Sequence, residues 1–549
     1  MSPLHQARIN YQPVLPKCLQ PLEKLSIVSG KKIALEQNEE IAAQFPHTFE
    51  QPLLSFKSGE GHEHRPLRVG VVLSGGQAAG GHNVISGLFD ALKRLNPASQ
   101  LIGFCDGPGG IVKNKTIEIT ESFLRPYRNQ GGFDMIGSGR TKIETDEQFQ
   151  AAEQTVKTLK LDGLVVIGGD DSNTNAALLA EYFKNHQVKC NVIGVPKTID
   201  GDLKNEAIEI SFGFDSACKT YSEIIGNILR DALSAKKYYY FIKLMGRSAS
   251  HITMECAFQT HPNMALIGEE IEAKGSTLAE IVGEMCDLVC KRSAQGKDYG
   301  AILIPEGIVE FIPEVKKLIS ELNALLAPDR PHQKKMESFS SVKEGIDYIA
   351  KHLSTSSMQC LKMFPQDIQL QLTMDRDPHG NVQVSKIETE RLVISMVEKE
   401  LEVRTKSGKY QGKFSSQPLF CGYEGRSCYP SNFDSQYCYA LGHVAALLLD
   451  ADKTGYMSAL QGIAKPVEEW KAAGVPLVSM MHMEQRQGKM KPVIKKALVE
   501  LNGKPFAMFK KQREAWMLAD DYTSPGPIQF GGPKELTEST VLTLQYEAE

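Results

Sequence analysis

Short apolar runs alternate with glycine-rich turns and helical stripes from Leu67 onward. The first run, LRVGVVL at 67–73, is apolar almost throughout, which is typical of a strand buried on both faces. It leads into the turn SGGQAAGGHN and then into apolar residues at helical spacing from Val84 to Leu95. The same order recurs in LVVIGGDDSNTNAALLAEYF at 164–183. Both stretches predict a buried strand followed by an amphipathic helix.

Three more apolar runs end in polar loops: NVIGVPKTIDGDL at 191–203, YYYFIKLMGRSASH at 238–251 and YGAILIPEGI at 299–308. Strands that alternate with helices predict an α/β fold with parallel sheets, in which ligands gather at the carboxyl ends of the strands. Residues 1–66 lack this pattern and are expected to form an extension. At about 310–400 the pattern gives way to a polar, helix-rich stretch that we interpret as an insertion.

Length and composition narrow the class of protein. A chain of 549 residues is too long for one ordinary core, so two or more domains are expected. A net charge of −4 offers no basic surface for nucleic acid or membranes, and no apolar run reaches the roughly 18–20 residues that span a bilayer. The N-terminus lacks a signal-peptide pattern, and eleven cysteines without a CxxC pair indicate reduced thiols. We therefore expect a soluble, cytoplasmic protein.

The turn SGGQAAGGHN at 74–83 is a candidate anion site. Its four glycines let backbone N–H groups approach an anion, and the start of the following helix favours negative charge. The alternative is a tight connection without a ligand. No GK dipeptide is followed by Ser or Thr, CDGPGGI does not complete a GxGxxG motif, and the protein-kinase motifs are absent. The familiar nucleotide-binding loops are therefore excluded.

Two adjacent carboxylates, Asp170 and Asp171, follow the second strand in the motif GGDDSN. A carboxylate at a strand end suits Mg²⁺ that is held through one acid, phosphate oxygens and water. The alternative is that Asp171, Ser172 or Asn173 caps the next helix. Capping explains one such residue and leaves Asp170 without a role.

Three further loops carry charges suited to phosphoryl transfer. PKTIDGDL places Lys197, Asp200 and Asp202 after a strand, where a carboxylate can take a hydroxyl proton and a cation can neutralise phosphoryl oxygens. The alternative is an Asx-type turn at DGD. LMGRSASH and GYEGRS place Arg247 and Arg426 in expected loops, where a guanidinium can hold a phosphate ester. Each arginine alone could equally be a surface charge.

With GGDD, PKTIDGD, MGR, PEG and GYEGR in this order across 67–426, the chain resembles the phosphofructokinase family. Its length, N-terminal extension, KKYYYF motif and insertion are similar to the large pyrophosphate-dependent branch. The resemblance implies two Rossmann-like domains with the site between them, assembled as homodimers or larger oligomers. We expect a donor domain at 67–240 and a sugar-phosphate domain at 241–549.

The resemblance also implies roles for individual residues. Asp200 is expected to accept the proton of the sugar 1-hydroxyl, Asp170 to bind Mg²⁺ and Gly75 to lie in the donor loop. Lys237 and Tyr238 are expected to reach the sugar phosphate of a neighbouring subunit. Contacts to fructose 6-phosphate are expected at Thr198, Ile199, Asp200, Met245, Gly246, Arg247, Glu306, Tyr423, Glu424, Gly425 and Arg426, with Arg247 also taking part in catalysis.

Asp171 and Lys197 bear on the choice of donor, because ATP-using members that resemble this chain usually carry glycine at both positions. Pyrophosphate lacks an α-phosphate, so a carboxylate can occupy the volume that the α-phosphate of ATP would need. At about 4 Å and an effective dielectric near 20, two like charges repel by roughly 4 kcal/mol. Lys197 adds a cation for the transferring group.

The resemblance therefore implies Mg²⁺-dependent, reversible transfer of a phosphoryl group from pyrophosphate to fructose 6-phosphate, as in glycolysis and gluconeogenesis. Two alternatives stay open: an ATP-dependent phosphofructokinase, and a catalytically silent regulatory subunit of a heteromer.

Overall fold

The computed structural model describes residues 2–32, 39–61, 63–327, 331–336, 338–339, 341–374, 382, 386–486 and 489–549. Parts of the predicted insertion, at 328–330, 337, 340, 375–381 and 383–385, lie outside the described residues. Within the described ranges, no helix has both the length and the apolar character needed to cross a bilayer.

The strands, in chain order, are β1 (Leu25–Lys32), β2 (Pro52–Ser58), β3 (Arg68–Leu73), β4 (Gln100–Phe104), β5 (Thr116–Ile119), β6 (Gly163–Gly168), β7 (Asn191–Thr198), β8 (Phe212–Gly213), β9 (Tyr239–Leu244), β10 (Met264–Ala265), β11 (Gly300–Pro305), β12 (Ser416–Cys421), β13 (Tyr456–Gln461), β14 (Lys471–Pro476), β15 (Met481–Arg486) and β16 (Lys489–Ile494).

The helices are α1 (Pro3–Asn10), α2 (Glu39–Gln44), α3 (Gly81–Leu95), α4 (Pro108–Val112), α5 (Glu121–Leu124), α6 (Asp146–Thr158), α7 (Asp170–Asn185), α8 (Phe214–Ala235), α9 (His251–Thr260), α10 (Gly268–Lys274), α11 (Leu278–Ser293), α12 (Ile308–Phe311), α13 (Pro313–Leu325), α14 (Pro331–Met336), α15 (Val342–Ala350), α16 (Thr355–Met363), α17 (Gln366–Met374), α18 (Thr389–Lys406), α19 (Tyr423–Ser427), α20 (Asn432–Asp450), α21 (Lys504–Leu518), α22 (Lys534–Thr537) and α23 (Leu542–Ala548).

The first compact unit consists of Met1–Thr220, Tyr423–Ala497 and Ile528–Glu549. Its main sheet has the order β1-β2-β14-β13-β7-β6-β3-β4-β5, with β8 beside β7. The parallel centre consists of β4, β3, β6, β7 and β13, and β8 also pairs parallel with β7. β1, β2, β14 and β5 pair antiparallel with their neighbours. Since β3, β6 and β7 are neighbours, the loops that follow them leave the same edge of the sheet. This arrangement brings the predicted donor motifs together.

The second unit consists of Tyr221–Gly422 and Leu498–Pro527. Its sheet, in the order β10-β11-β9-β12, is parallel throughout. Apolar residues of β9 and β11 share a core with α11 and with helices of the predicted insertion, including Leu318, Leu361 and Val397. The stretch at 310–400 is therefore helical, as predicted, and it completes the core of this unit.

Both predicted pairs of a buried strand and an amphipathic helix are confirmed. LRVGVVL contains β3, and α3 buries Val84, Leu88 and Leu92. In the same way, α7 buries Ala176, Leu179, Ala180 and Phe183 at helical spacing. The α/β fold with parallel-rich sheets is likewise confirmed.

The compact units divide the chain differently from the predicted boundaries of 67–240 and 241–549. β13 and β14 follow the second unit in sequence, yet they pair with β7 and β2 in the first. The predicted extension at 1–66 supplies β1 and β2 to the same sheet. Sheet order does not follow chain order here, and a local apolar pattern carries no information on which distant strand is its partner.

Candidate active site

A sharp turn after β3 forms the centre of the first unit's candidate site. Gly75 has a φ of 88°, a left-handed conformation that favours glycine, and its N–H donates to Gly139 O at 2.9 Å. A Cβ built on Gly75 would lie 3.3 Å from Lys197 Nζ. A Cβ built on Gly76 would lie 3.2 Å from Arg426 Nη1 and 3.5 Å from Arg140 Nη2. Three cations therefore surround the turn predicted to bind an anion.

Lys197 is the buried member of this cationic group. Only 5% of the residue is exposed, because it belongs to β7, and its Nζ lies 5.7 Å from the centre of the Phe133 ring. Burial, followed by repulsion from Arg426, lowers its pKa to about 8. A bound anion would therefore offset the free-energy cost of keeping this ammonium buried and close to Arg426.

The start of α7 is fixed by hydrogen bonds to the ends of β6 and β7. Asn173 Nδ2 donates to Gly168 O at 2.6 Å and to Val195 O at 3.3 Å, and Ser172 Oγ donates to Ser74 Oγ at 2.7 Å. Gly169 occupies the N-cap position. The alternative in which Asp171, Ser172 or Asn173 caps this helix is therefore wrong. Both aspartates lie in the first helical turn, where the helix dipole stabilises negative charge.

The two aspartates face different surroundings. The Asp171 side chain is 48% exposed, and its Oδ1 lies 3.4 Å from Lys142 Nζ. Asp170 Oδ2 lies 3.7 Å from Lys496 Nζ, which is also 4.0 Å from Asp202 Oδ2. Burial and the nearby Asp200 raise the pKa of Asp202 to about 7. Asp170 and Asp202 therefore form one acidic cluster around Lys496, and Asp171 stands apart from it.

Asp200 follows β7 in a loop that begins with a local hydrogen bond from its N–H to Thr198 Oγ1 at 3.1 Å. Its Oδ1 is buried and has no hydrogen-bond partner within the described part of the chain, and Arg426 Nη2 lies 3.7 Å from it. A buried carboxylate oxygen of this kind is available to accept a proton from a substrate hydroxyl. The intervening Ile199 is fully buried.

The second unit holds four of the predicted sugar-phosphate residues, Met245, Gly246, Arg247 and Glu306, after the ends of β9 and β11. Glu306 N donates to Leu244 O at 2.8 Å, so MGR and PEG leave adjacent strands side by side. Arg247 is exposed, whereas Met245 and Glu306 are buried. A Cβ built on Gly307 would lie 1.7 Å from Arg247 O, which only glycine permits. Gly246, at a φ of 115°, turns the chain toward Arg247.

Lys237 and Tyr238 lie at the other end of β9. Lys237 is exposed, and its Nζ lies 4.9 Å from the centre of the Tyr238 ring. Six residues of strand separate this pair from Met245–Arg247, which corresponds to about 20 Å at 3.3 Å per residue. Within one chain, these two groups do not converge.

The motif GYEGR is helical, so the loop predicted for it is wrong. Tyr423, Glu424, Gly425 and Arg426 belong to α19, where Gly425 is buried and Tyr423 is exposed. In the first unit, Gln77 Nε2 donates to Ser427 Oγ at 2.6 Å and ties this helix to the donor loop. Arg426 therefore lies beside Gly76 and Asp200. Its predicted contact with fructose 6-phosphate stays a prediction.

Two basic residues of the site were missed by the sequence analysis. Arg140 lies in the short motif SGR. The hydrogen bond from Gly75 N–H to Gly139 O holds the backbone of this motif next to the turn. Lys496 lies after β16 in a polar stretch without a recognisable motif. A basic residue next to SG gave a weak signal for Arg140, and no local signal indicated Lys496.

The carboxylates of the site supply part of what a divalent cation requires. Among the described residues, no three His, Cys, Asp or Glu side chains form a metal-binding group. Asp170 and Asp202 supply oxygen ligands of the kind that Mg²⁺ prefers, and Mg²⁺ commonly keeps water and substrate phosphates as its other ligands. The residues therefore fit a cation that arrives with a phosphate substrate.

Comparison with known proteins agrees with this arrangement. Residues 68–449 match the Phosphofructokinase family. A pyrophosphate–fructose 6-phosphate 1-phosphotransferase of Porphyromonas gingivalis is 52% identical over 550 residues, covering 100% of this chain and 99% of the relative. Subunit beta 1 of the enzyme with the same name from Arabidopsis thaliana is 52% identical over 551 residues, covering 100% of this chain and 95% of that subunit.

A solved structure supports the fold. The crystal structure of a pyrophosphate-dependent phosphofructokinase from Nitrosospira multiformis has a TM-score of 0.54 and 15% identity, covering 86% of this chain and 97% of that chain. The resemblance drawn from the motifs is confirmed by the family match and by the full-length relatives. The chain belongs to the phosphofructokinase family.

Proposed function

We propose that the chain transfers a phosphoryl group from pyrophosphate to the 1-hydroxyl of fructose 6-phosphate, giving fructose 1,6-bisphosphate and phosphate. Two relatives about half identical to it over its full length carry this activity in their names. The phosphoanhydride bond that is broken and the phosphate ester bond that is formed are of similar free energy, so the reaction runs in both directions.

The observation that carries the proposal is a buried cation beside the Gly75 turn together with a separate carboxylate in the first turn of α7, the helix whose Ser172 donates to Ser74. Lys197 supplies positive charge inside the first unit, where its interaction with an anion is weakly screened. Asp171, in the first turn of α7, adds negative charge outside the acidic cluster at Lys496. Pyrophosphate needs the Lys197 cation and is not repelled by Asp171, because it lacks an α-phosphate. A nucleotide extends further, and its α-phosphate would be repelled by the Asp171 carboxylate.

The chain's own residues account for the proton and the charge. Asp200 takes the proton of the 1-hydroxyl as the hydroxyl oxygen bonds to the transferred phosphorus, and the bond to the bridging oxygen breaks. Lys197 stabilises charge on the transferred group and on the departing phosphate. Arg247 and Glu306 contact fructose 6-phosphate, the guanidinium through the phosphate group and the carboxylate through hydroxyl groups, and Met245 and Gly246 shape the loop that presents Arg247.

Enzymes of this family generally use Mg²⁺. Asp170, with Asp202 beside it, is the group that would hold the cation in this chain. A bound Mg²⁺ neutralises charge on phosphate oxygens.

The pair Lys237 and Tyr238 supports a homo-oligomer, a homodimer or larger. Their position at the end of β9 opposite Arg247 suits contact with a sugar phosphate held by a second copy of the chain. None of the eleven cysteines, all of which lie within the described residues, forms a disulfide, and reduced thiols support the expected cytoplasmic location.

The test is a comparison of donors with purified protein, fructose 6-phosphate and Mg²⁺. Pyrophosphate is expected to support fructose 1,6-bisphosphate formation, and the reverse reaction is expected to consume phosphate. Activity with ATP alone would overturn the donor assignment. Activity with neither donor would favour a silent subunit.

A further inference from the structure

Lys496 lies at the candidate donor site but outside the residues that match the family, which end at 449. Its Nζ is 3.7 Å from Asp170 Oδ2 and 4.0 Å from Asp202 Oδ2, and its side chain is 30% exposed. An ammonium carries three N–H donors, and these distances place it beside the carboxylate that is expected to bind the cation.

The backbone on both sides of Lys496 is fixed to the two motifs that carry those carboxylates. Ile494 N donates to Thr174 Oγ1 at 3.1 Å, in the helix that begins at Asp170. Ala497 N donates to Asp202 O at 2.7 Å, in the loop after β7. Two anchors three residues apart, one on each motif, direct the intervening side chain toward the acidic cluster. The hairpin β15–β16 leads the chain to this position.

Lys496 contributes positive charge to an acidic region. Asp170, at the start of α7, and Asp200 and Asp202, in the loop after β7, place three carboxyl groups where an anionic donor would bind. Lys197 and Arg426 lie beside the Gly75 turn, and Lys496 lies beside Asp170 and Asp202. An anion bound through a cation on Asp170 therefore comes within reach of the Lys496 ammonium.

We propose that Lys496 is a donor-binding residue whose ammonium contacts the non-bridging oxygens of metal-bound pyrophosphate. The proposal rests on the proposed function, because it takes pyrophosphate as the ligand. In the free protein the same ammonium balances Asp170 and Asp202, and it exchanges these partners for phosphate oxygens when the donor binds. Lysine suits this exchange, since its three donors rotate on a flexible stem.

The test measures binding rather than turnover. Imidodiphosphate, a pyrophosphate analogue that is not transferred, is titrated with Mg²⁺ into the full chain in a calorimeter. Lys496→Met is expected to weaken its binding about 10- to 100-fold, the range for loss of one hydrogen bond to a charged group. Lys496→Arg keeps the charge and is expected to bind within about threefold of the parent chain.

Lys495→Met is the matched control. Lys495 is the adjacent lysine, its side chain is exposed, and its backbone N–H donates to Met480 O at 2.9 Å, which the substitution preserves. We expect Lys495→Met to bind imidodiphosphate like the parent chain. Fructose 6-phosphate binding is measured on every variant to show that each is folded.

The outcomes separate the two proposals. If the parent chain binds imidodiphosphate and Lys496→Met binds it equally well, the assignment of Lys496 is wrong and the proposed function stands. If Lys495→Met weakens imidodiphosphate binding as much as Lys496→Met does, the loss of any positive charge in this segment explains the effect, and the assignment of Lys496 also fails. If the parent chain binds fructose 6-phosphate but no imidodiphosphate, the pyrophosphate assignment itself is overturned.

Discussion

Replacing Lys197 with methionine tests the electrostatics of the donor site. The residue is 5% exposed, and methionine has a similar length, so the change removes a charge and little packing. At about 4 Å and an effective dielectric near 20, opposite unit charges attract by roughly 4 kcal/mol. Losing one preorganised group that stabilises a transition state costs about 10²–10³ in rate. We expect kcat/KM for pyrophosphate to fall by a factor in that range.

The pH dependence gives the same experiment a second, independent measure. The Lys197 pKa is lowered to about 8, so the ammonium is present below that pH and is lost as the pH rises through it. kcat/KM reports the free enzyme, and its value for pyrophosphate is therefore expected to decline above about pH 8. A bound anionic donor stabilises the ammonium, so the decline in kcat is expected at higher pH.

The assay is initial rates at varied pyrophosphate from neutral to alkaline pH, for the parent chain, Lys197→Met and Lys184→Met. Lys184 is an exposed lysine in the last turn of α7, and its replacement is expected to leave the profile unchanged. Thermal melting verifies the fold, which should hold because removing a buried charge relieves a desolvation cost. If Lys197→Met keeps the alkaline decline, or if its kcat/KM stays within about threefold of the parent chain, Lys197 does not supply the charge that stabilises the donor.

Three further substitutions test separate parts of the site. Asp171→Gly is expected to tighten ATP binding, measured by calorimetry, by about 5- to 1000-fold. This range follows because the repulsion between two like charges at about 4 Å lies between roughly 1 and 4 kcal/mol, depending on solvent screening. The Asp171 side chain is 48% exposed, which favours the lower part of the range. Asp200→Asn removes the proton acceptor, so kcat should fall about 10²- to 10⁴-fold while the Kd for fructose 6-phosphate changes little. Gly307→Ala places a Cβ 1.7 Å from Arg247 O, so we expect a lower melting temperature, with about 1–3 kcal/mol of lost stability, and a raised KM for the sugar phosphate.

Each of these predictions has an outcome that contradicts it. If Asp171→Gly left ATP binding unchanged, the Asp171 carboxylate would not be what discriminates against ATP. Substantial turnover by Asp200→Asn would place the base elsewhere. Gly283→Ala is the control for Gly307→Ala, since a Cβ on Gly283 meets no atom within 4 Å and alanine favours the helix. Equal KM and melting temperature for these two variants would show that the loop accommodates a side chain.

The sequence predicted those parts of the protein that depend on local patterns. The apolar runs of β3, β6, β7, β9 and β11 were recognised because a strand buried on both faces is apolar throughout. The motifs after β3, β6 and β7 could be grouped because neighbouring parallel strands end at one edge. Asp170, Lys197 and Asp200 were found in this way.

The remaining features depend on contacts between distant residues. Residues 1–66 carry no sustained pattern, since β1 and β2 lie on the outer part of the sheet and bury only some of their side chains. GYEGR reads as a loop because its two glycines disfavour a helix, yet α19 forms around the buried Gly425. Backbone hydrogen bonds from residues 494 and 497 place Lys496 at the acidic cluster. Because the donors are backbone N–H groups, the residue types around Lys496 do not indicate these bonds.

The scattered make-up of the first unit has a consequence during synthesis. Its sheet needs β14 to join β2 and β13 to join β7, and both arrive only after the whole of Tyr221–Gly422 has been made. Until then β2 and β7 each lack a neighbour on one side, and such open strand edges invite pairing with other chains. A ribosome-bound fragment that stops before β13 already holds Asp170, Lys197 and Asp200 but can neither close this sheet nor supply Lys496. The sheet of the first unit can thus be completed only after β13 and β14 have been made, and truncated copies would leave open strand edges that favour aggregation.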